Sequence, residues 1–177
     1  MDLRILEIAS NTENNKVLDK HTHKSKNKNP ICGDEMEISL IVENNKVTDM
    51  GYQCKSCVYC QASVSLLSQK IKNKNLDEIK KFIETSENIF ENTKLVLEKK
   101  WNEFLELLNK KNISRKIKNK KVDEVKNFVS LSEKIFEDAK SNLSKHWNDF
   151  KELFDKKNIS RKECLLLPLR TVFKALK

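Results

Sequence analysis

The chain has five cysteines, Cys32, Cys54, Cys57, Cys60 and Cys164, and four of them fall within a short stretch that also holds Asp34. Cys-Gly-Asp occupies 32–34, Cys-Lys-Ser-Cys-Val-Tyr-Cys occupies 54–60, and the last thiol stands far downstream, shortly before Pro168. Thiolates are soft ligands and nucleophiles, and a carboxylate is a harder oxygen donor. Three thiolates and one carboxylate can close a tetrahedral site around zinc or hold iron in a cluster. One such set draws Cys32 and Asp34 from one loop, Cys57 from a second and Cys164 from a third. Five cysteines without a secretion signal point to a metal or sulfur site and not to a disulfide framework.

These residues need elements to bring them together. Residues 37–43 and 46–52 are two β-type runs separated by Asn44-Asn45, which reads as an antiparallel hairpin. Cys32 and Asp34 precede its first strand, and Cys54 and Cys57 follow its second. The open end of a hairpin therefore places both loops side by side. From about Tyr59 the pattern turns helical through Ala62, Val64, Leu66, Leu67 and Ile71. Cys57 then sits at a helix N-terminus, where unpaired amides favour a thiolate. Residues 2–10 carry Leu3, Ile5, Leu6 and Ile8 and suit a short amphipathic helix. Residues 11–29 are Lys- and Asn-rich and read as a polar loop, in which His21 and His23 are solvated side chains.

Between Pro30 and Pro168 the chain has only Gly33 and Gly51, and from 71 to 162 it has no Cys, Gly or Pro. That interval is an internal duplication: 71–116 and 117–162 align without a gap, with about 28 identities over about 46 residues. Phe82 matches Phe128, Trp101 matches Trp147, Phe104 matches Phe150, and Lys-Lys-Asn-Ile-Ser-Arg-Lys closes both copies. Apolar residues recur at three- and four-residue steps (Leu76, Ile79, Phe82, Ile83, Ile89, Phe90, Leu97, Trp101, Phe104, Leu108, and Val122, Val125, Phe128, Val129, Ile135, Phe136, Leu143, Trp147, Phe150, Phe154), the pattern of amphipathic helices. The aromatic stripe reads as helix–helix core, and His146, opposite Lys100 of the first copy, as surface. A helix of about 35 residues spans roughly 50 Å, so the copies must fold back for Cys164 to reach the hairpin. The expected organisation is a core of 1–70 plus 163–177, with 71–162 as a tandem helical extension (71–116 and 117–162) that lengthens the scaffold.

Composition narrows the function classes. Charged residues make up 34% of the chain, and the net charge is +9. Lysine is interleaved with Glu and Asp, so the charge reads as solvated helix faces and not as a nucleic-acid footprint. No run approaches the roughly 18 apolar residues of a membrane span, and the N-terminus lacks a signal peptide. A cytoplasmic protein is expected, with no nucleic-acid or membrane partner.

Asn-Pro-Ile-Cys-Gly-Asp (29–34), Cys57 followed by Ala62-Ser63-Val64-Ser65, and Arg161-Lys-Glu-Cys164 with Leu-Leu-Leu-Pro-Leu behind it resemble the U-type iron–sulfur cluster assembly scaffolds (IscU, SufU and the N-terminal domain of NifU). The resemblance covers roughly 1–80 and 155–177, with one copy of the repeat filling the intervening helical region. It implies an α+β fold, a small antiparallel sheet covered on one side by helices. It further implies that Cys32, Asp34, Cys57 and Cys164 hold a transient [2Fe–2S] cluster or iron, or zinc in its absence. Sulfur would come from a cysteine desulfurase and be accepted at Cys164, on a short connection before a C-terminal helix. The cluster would pass to apo iron–sulfur acceptor proteins, which makes the chain a carrier and not a catalyst. The chain departs from the family at Ser56, where glycine is usual, and at Glu163, where IscU has His and SufU Lys. Cys54 and Cys60 are additional candidate ligands, although the distance to Ala62-Ser63 favours Cys57.

Two readings compete with a cluster scaffold. One is a zinc-holding sulfurtransferase that takes persulfide sulfur from a cysteine desulfurase. The other is a zinc-ribbon nucleic-acid module, but this chain lacks the second Cys-x-x-Cys knuckle a ribbon needs.

Overall fold

Asn44 and Asn45 both adopt positive φ, 49° and 62°, as a two-residue type I′ turn requires and asparagine tolerates. In the computed structural model of the protein they join β2 (Glu35–Glu43) to β3 (Lys46–Lys55), which pair antiparallel as the sequence predicts. The structure describes residues 3–91, 130, 134 and 136–177. Strand β3 runs longer than expected, so Cys54 lies inside it, opposite Met36, and not after its end. Ile38 and Leu40 are fully buried, but Val42 is not. A register shift between Ile41 and Val42 breaks the alternation that would have carried Val42 into the core.

The polar stretch expected to be a loop contains a third strand, β1 (His23–Lys28), giving the sheet order β1-β2-β3. The strand was hidden because it carries almost no apolar signal. Only Ser25 is buried, and the lysines reach glutamates on β2: Lys24 to Glu37 at 2.7 Å and Lys28 to Glu35 at 2.8 Å. Cross-strand charge pairs substitute for apolar alternation here, and a lysine-rich edge discourages pairing with other chains. With Lys28 opposite Glu35, residues 29–34 become a hairpin loop between β1 and β2.

Helix α1 (Leu3–Ser10) buries Ile5 and Ala9 and leaves Leu3 exposed, as an amphipathic helix should. Helix α2 (Val58–Lys70) is buried along most of its length. Its serines are not left unsatisfied: Ser63 Oγ donates to Leu165 O and Ser65 Oγ to Asn11 O, each at 2.6 Å, and Ser68 Oγ to Ser65 O at 2.7 Å. Small hydroxyl residues thus let α2 approach its neighbours closely while every buried donor is used. Helix α3 (Lys162–Ala175) packs on β1, β2 and α2. Gly51 is required by a close approach on β3, where a Cβ would stand 2.6 Å from Lys16 O. The fold is α+β, a small antiparallel sheet packed with helices. Among the described residues no helix is long and apolar enough to cross a membrane.

The chain divides into two compact units. The first, Met1–Glu87 with Leu143–Lys177, contains the sheet and α1 to α3. It takes the beginning of the first repeat copy and the end of the second. Residues 73–76 lie along the β2–β3 turn, with Val47 N donating to Lys74 O at 3.0 Å and Leu76 N to Asn45 O at 3.1 Å. Residues 76–87 are helical and bury Ile79, Phe82 and Ile83. Phe82 stacks on Trp147 with ring centroids 4.0 Å apart and planes 9° apart, and meets Phe150 at 4.8 Å. The stripe is core here, as expected. His146, read from sequence as surface, is half-buried: its Nε2 lies 2.8 Å from Lys70 O and its ring stands edge-on to Trp147 at 4.9 Å. In the second unit, Asn88–Asn142, Phe90 and Phe136 pack edge to face at 6.2 Å. Leu97, Trp101, Phe104 and Leu108 of the first copy and Val122, Val125, Phe128, Val129 and Ile135 of the second lie outside the described residues.

Candidate metal centre

Loop 29–34 is built to hold its shape. Asn29 N donates to Asp34 O at 2.8 Å, Gly33 N donates to Asn29 O at 2.9 Å, and the Asn29 side-chain oxygen accepts from Ile31 N at 3.0 Å. Gly33 has φ +76°, a conformation that costs glycine little and a β-substituted residue more. The loop thereby presents Cys32 to solvent and turns Asp34 inward, with 6% of its surface exposed. Pairing of Glu35 with Lys55 sets the end of β3 beside this loop, and the chain then enters α2 with Cys57 as its N-cap residue. Cys57 N donates to Asp34 Oδ1 at 3.0 Å, tying the two loops together.

Cys164 arrives from the other side. It lies in the first turn of α3, buried, and not on an exposed connection before the helix. Lys-Glu-Cys continues directly into Leu-Leu-Leu, so nothing in that stretch stops the helix from starting at Lys162. Pro168 cannot donate to the Cys164 carbonyl four residues back. The bond from Ser63 to Leu165 O anchors this turn to α2 instead. The Cys32 and Cys164 sulfurs stand 3.5 Å apart. One donor atom from each of Cys32, Asp34 and Cys164 lies within 4.8 Å of the others. Cys57 adjoins the same group through its backbone N–H, which donates to Asp34, but its thiol is not one of the three converging donors.

The electrostatics follow from this crowding. Burial works against a charged Asp34. The Cys32 thiol, the Cys57 amide and the thiols of Cys57 and Cys164 outweigh it and hold the carboxyl below its usual value. Burial, then the neighbouring thiols of Cys57 and Cys32, push Cys164 well above the ordinary thiol range. A cation bound here would take the place of the Cys164 proton and meet the Asp34 charge. Asp34 Oδ2 is moreover buried with no hydrogen-bond partner. The donor set therefore fits a thiophilic cation or an iron–sulfur cluster.

Cys54 and Cys60 lie outside the group of three converging donors. The Cys54 thiol donates to Gln61 Oε1 at 2.9 Å, and Gln61 Nε2 donates to Tyr52 OH at 3.0 Å. Burial, with the Asp34 charge adding to it, raises Cys54. Burial likewise drives Cys60, fully enclosed in α2, far above the thiol range. Glu163, the residue before Cys164, turns away from the site to Arg170 Nη1 at 2.6 Å, and Arg170 also binds Glu87 through two bonds of 2.6 and 2.9 Å. Those carboxylates, Glu87 foremost, hold Arg170 above its ordinary value. Sequence reasoning quoted Asn29 but gave it no role. The Asn-Pro pair signals an Asx turn, yet nothing in the sequence says that its amide reaches the Cys164 sulfur, 3.9 Å away.

Comparison with known proteins agrees with this geometry. The model of the NifU-like N terminal domain family matches residues 2–124. The match ends inside the second repeat copy, before Cys164 is reached. The iron–sulfur cluster assembly scaffold protein IscU of Thermotoga maritima is 35% identical over 85 residues, which cover 48% of this chain and 60% of that protein. IscU 1 of Archaeoglobus fulgidus is 34% identical over 50 residues, 28% of this chain and 33% of that one. The chain thus spans between a third and three fifths of the length of these curated relatives. Among solved structures, a scaffold protein for the SUF system from Fervidobacterium islandicum superposes with a TM-score of 0.60 at 16% identity, covering 100% of this chain and 96% of that one. The N-terminal NifU-like protein of Brucella abortus gives 0.59 at 19% identity, covering 99% and 90%. At those identities the superpositions speak to the fold, and the family match carries the assignment: this chain belongs to the NifU-like N-terminal domain family, the U-type iron–sulfur cluster assembly scaffolds.

Proposed function

We propose that this protein is a cluster assembly scaffold that accepts iron and sulfur, holds a nascent [2Fe–2S] cluster on Cys32, Asp34, Cys57 and Cys164, and releases it to apo-proteins. The observation that carries this reading is the convergence of Cys32, Asp34 and Cys164, from two separate parts of the chain, within 4.8 Å. Cys57, the N-cap of α2 with its amide on Asp34, is the nearest further thiol this reading assigns to the set. The cluster is cargo, and the site suits cargo: Cys32 opens it to solvent on one side while Asp34 and Cys164 close it on the other. A carboxylate among thiolates binds iron less tightly than a fourth thiolate would, which favours release. The sulfur donor is a cysteine desulfurase. In the transfer, docking of the donor exposes the Cys164 thiol, which attacks the outer sulfur of the donor's persulfide; a Cys164 persulfide forms, and the Cys164 proton leaves with the donor's thiol.

A second reading is supported by the spacing of the donors. Ligands around one zinc at about 2.3 Å stand roughly 3.8 Å from each other, close to the 3.5 Å between the Cys32 and Cys164 sulfurs. A zinc form that orients the thiols for sulfur transfer fits the same residues. Anaerobic purification followed by visible spectroscopy and analysis of iron, sulfide and zinc separates the two. A coloured species with iron and acid-labile sulfide, lost on Cys32→Ala, Cys57→Ala or Cys164→Ala and kept on Cys54→Ala, supports the scaffold. A colourless protein with one zinc that cannot be reconstituted with iron and sulfide supports the second reading.

A further inference from the structure

We propose that Asn29 is a positioning residue for the Cys164 sulfur, donating an N–H···S hydrogen bond that draws charge from this ligand once it is a bound thiolate. The inference rests on the proposed site of Cys32, Asp34, Cys57 and Cys164. Its starting point is the orientation of one amide. A backbone N–H can only donate, so the contact from Ile31 N to the Asn29 side chain at 3.0 Å identifies the receiving atom as Oδ1. The NH2 group must then face the other way, where Cys164 Sγ lies 3.9 Å from Nδ2. Asn29 is 3% exposed, so water does not compete for that donor.

The arrangement has two consequences. Asn29 belongs to the loop that carries Cys32 and Asp34, and its main chain closes that loop on Asp34 O. Its side chain therefore couples the loop to the ligand arriving on α3. Hydrogen bonds to ligand sulfur also tune metal centres, because they lower the electron density the thiolate can give to the metal. Cys164 has a buried amide donor pointed at it. Cys32, in the same loop, is exposed. Two thiolates of one site are thereby made unequal.

The test uses cobalt and cadmium on the full chain. Asn29→Ser keeps a hydroxyl that can accept from Ile31 N in the same kind of turn, but is too short to reach the sulfur. In the cobalt-loaded protein the thiolate-to-metal charge-transfer band is expected at longer wavelength in Asn29→Ser than in the parent, with unchanged stoichiometry and a tetrahedral visible spectrum. In the parent protein loaded with cadmium-113, a scalar coupling between the Asn29 side-chain amide proton and the metal is expected across the N–H···S bond. This second measurement needs no substitution and decides the matter if Asn29→Ser does not fold. An unshifted band at native stoichiometry, or no coupling to the Asn29 amide, overturns the proposal while leaving the metal site intact. A parent protein that binds neither metal overturns the site itself, and the proposal with it.

Discussion

The first unit closes its helical layer with Phe82 from the first repeat copy and Trp147 from the second, and this can be tested against the pairing within one copy that the sequence equally allows. Phe82 is 3% exposed and Trp147 2%, and their rings stack at 4.0 Å. Truncating either to alanine costs about 3–5 kcal/mol, a large share of the roughly 5–15 kcal/mol that holds a domain folded. Leucine is the better probe because it keeps the chain folded while removing the ring. A stacked aromatic pair contributes about 0.5–1.5 kcal/mol beyond its buried area. A double-mutant cycle of Phe82→Leu with Trp147→Leu is therefore expected to show coupling of that size. Urea unfolding followed by circular dichroism gives the four stabilities, with coincident transitions at two wavelengths as the check on two-state behaviour. An additive cycle of Phe82 with Trp147 would refute the composite core.

Gly51→Ala should destabilise the protein by about 1–3 kcal/mol in the same urea assay, since its Cβ would stand 2.6 Å from Lys16 O and 3.0 Å from Leu18 Cγ. Asp49, despite its partial burial, is held below the usual carboxylate value by bonds from Lys16 at 2.9 Å, Lys72 at 3.0 Å and the Met50 amide. A depressed carboxyl stabilises the fold fully above its unfolded pKa and loses that contribution as the pH falls through its folded one. The stability of Asp49→Asn should accordingly fall less steeply than that of the parent from about pH 4.5 downward. Asp34→Ala should slow transfer of a reconstituted cluster to an apo-ferredoxin, timed by circular dichroism, and an unchanged or faster transfer would count against the carboxylate as the releasing ligand. Excision of residues 88–133 joins Glu87 to Lys134 and recreates the Ser-Glu-Lys-Ile-Phe sequence already present at 132–136. It should leave a folded protein that binds the same number of metal ions, measured by metal analysis; loss of binding with helical signal intact would make the second unit part of the site.

The hairpin and the convergence of Cys32, Asp34 and Cys164 were readable because the chain marks them with residues of few alternative uses. Asn44-Asn45 admits the positive φ of a tight turn, Gly33 admits φ +76° in the ligand loop, and cysteines beside an aspartate have few roles other than binding. Strand β1 was not readable, because its stability comes from lysines pairing with Glu35 and Glu37 on a strand distant in sequence, and periodicity sees only apolar alternation. Cys164 was placed too far outside its helix for a related reason. Its first turn is held by Ser63 from α2, a tertiary bond no local pattern announces. Cys54, which the sequence offers beside Cys57, has its thiol bonded to Gln61, a contact no local pattern announces.

The duplication is the clearest case of information the sequence holds but cannot resolve. Two copies alike at about 28 of about 46 positions offer Phe82 a choice of Trp101 or Trp147, and their shared aromatic register makes the choices equal on local grounds. What breaks the tie is connectivity. Residues 73–76 must follow α2 and lie on the β2–β3 turn, which fixes the beginning of the first copy in the first unit. Residues 156–161 must run directly into α3, which fixes the end of the second copy there as well. The first unit can therefore be completed by half of each copy, leaving the intervening Asn88–Asn142 as a unit with contacts of its own. Loop closure costs only about 0.6 kcal/mol per doubling of length, so an added repeat between those fixed ends is tolerated without moving either. Cys164 is thus delivered beside Cys32 after an excursion of two copies, as one copy would have delivered it.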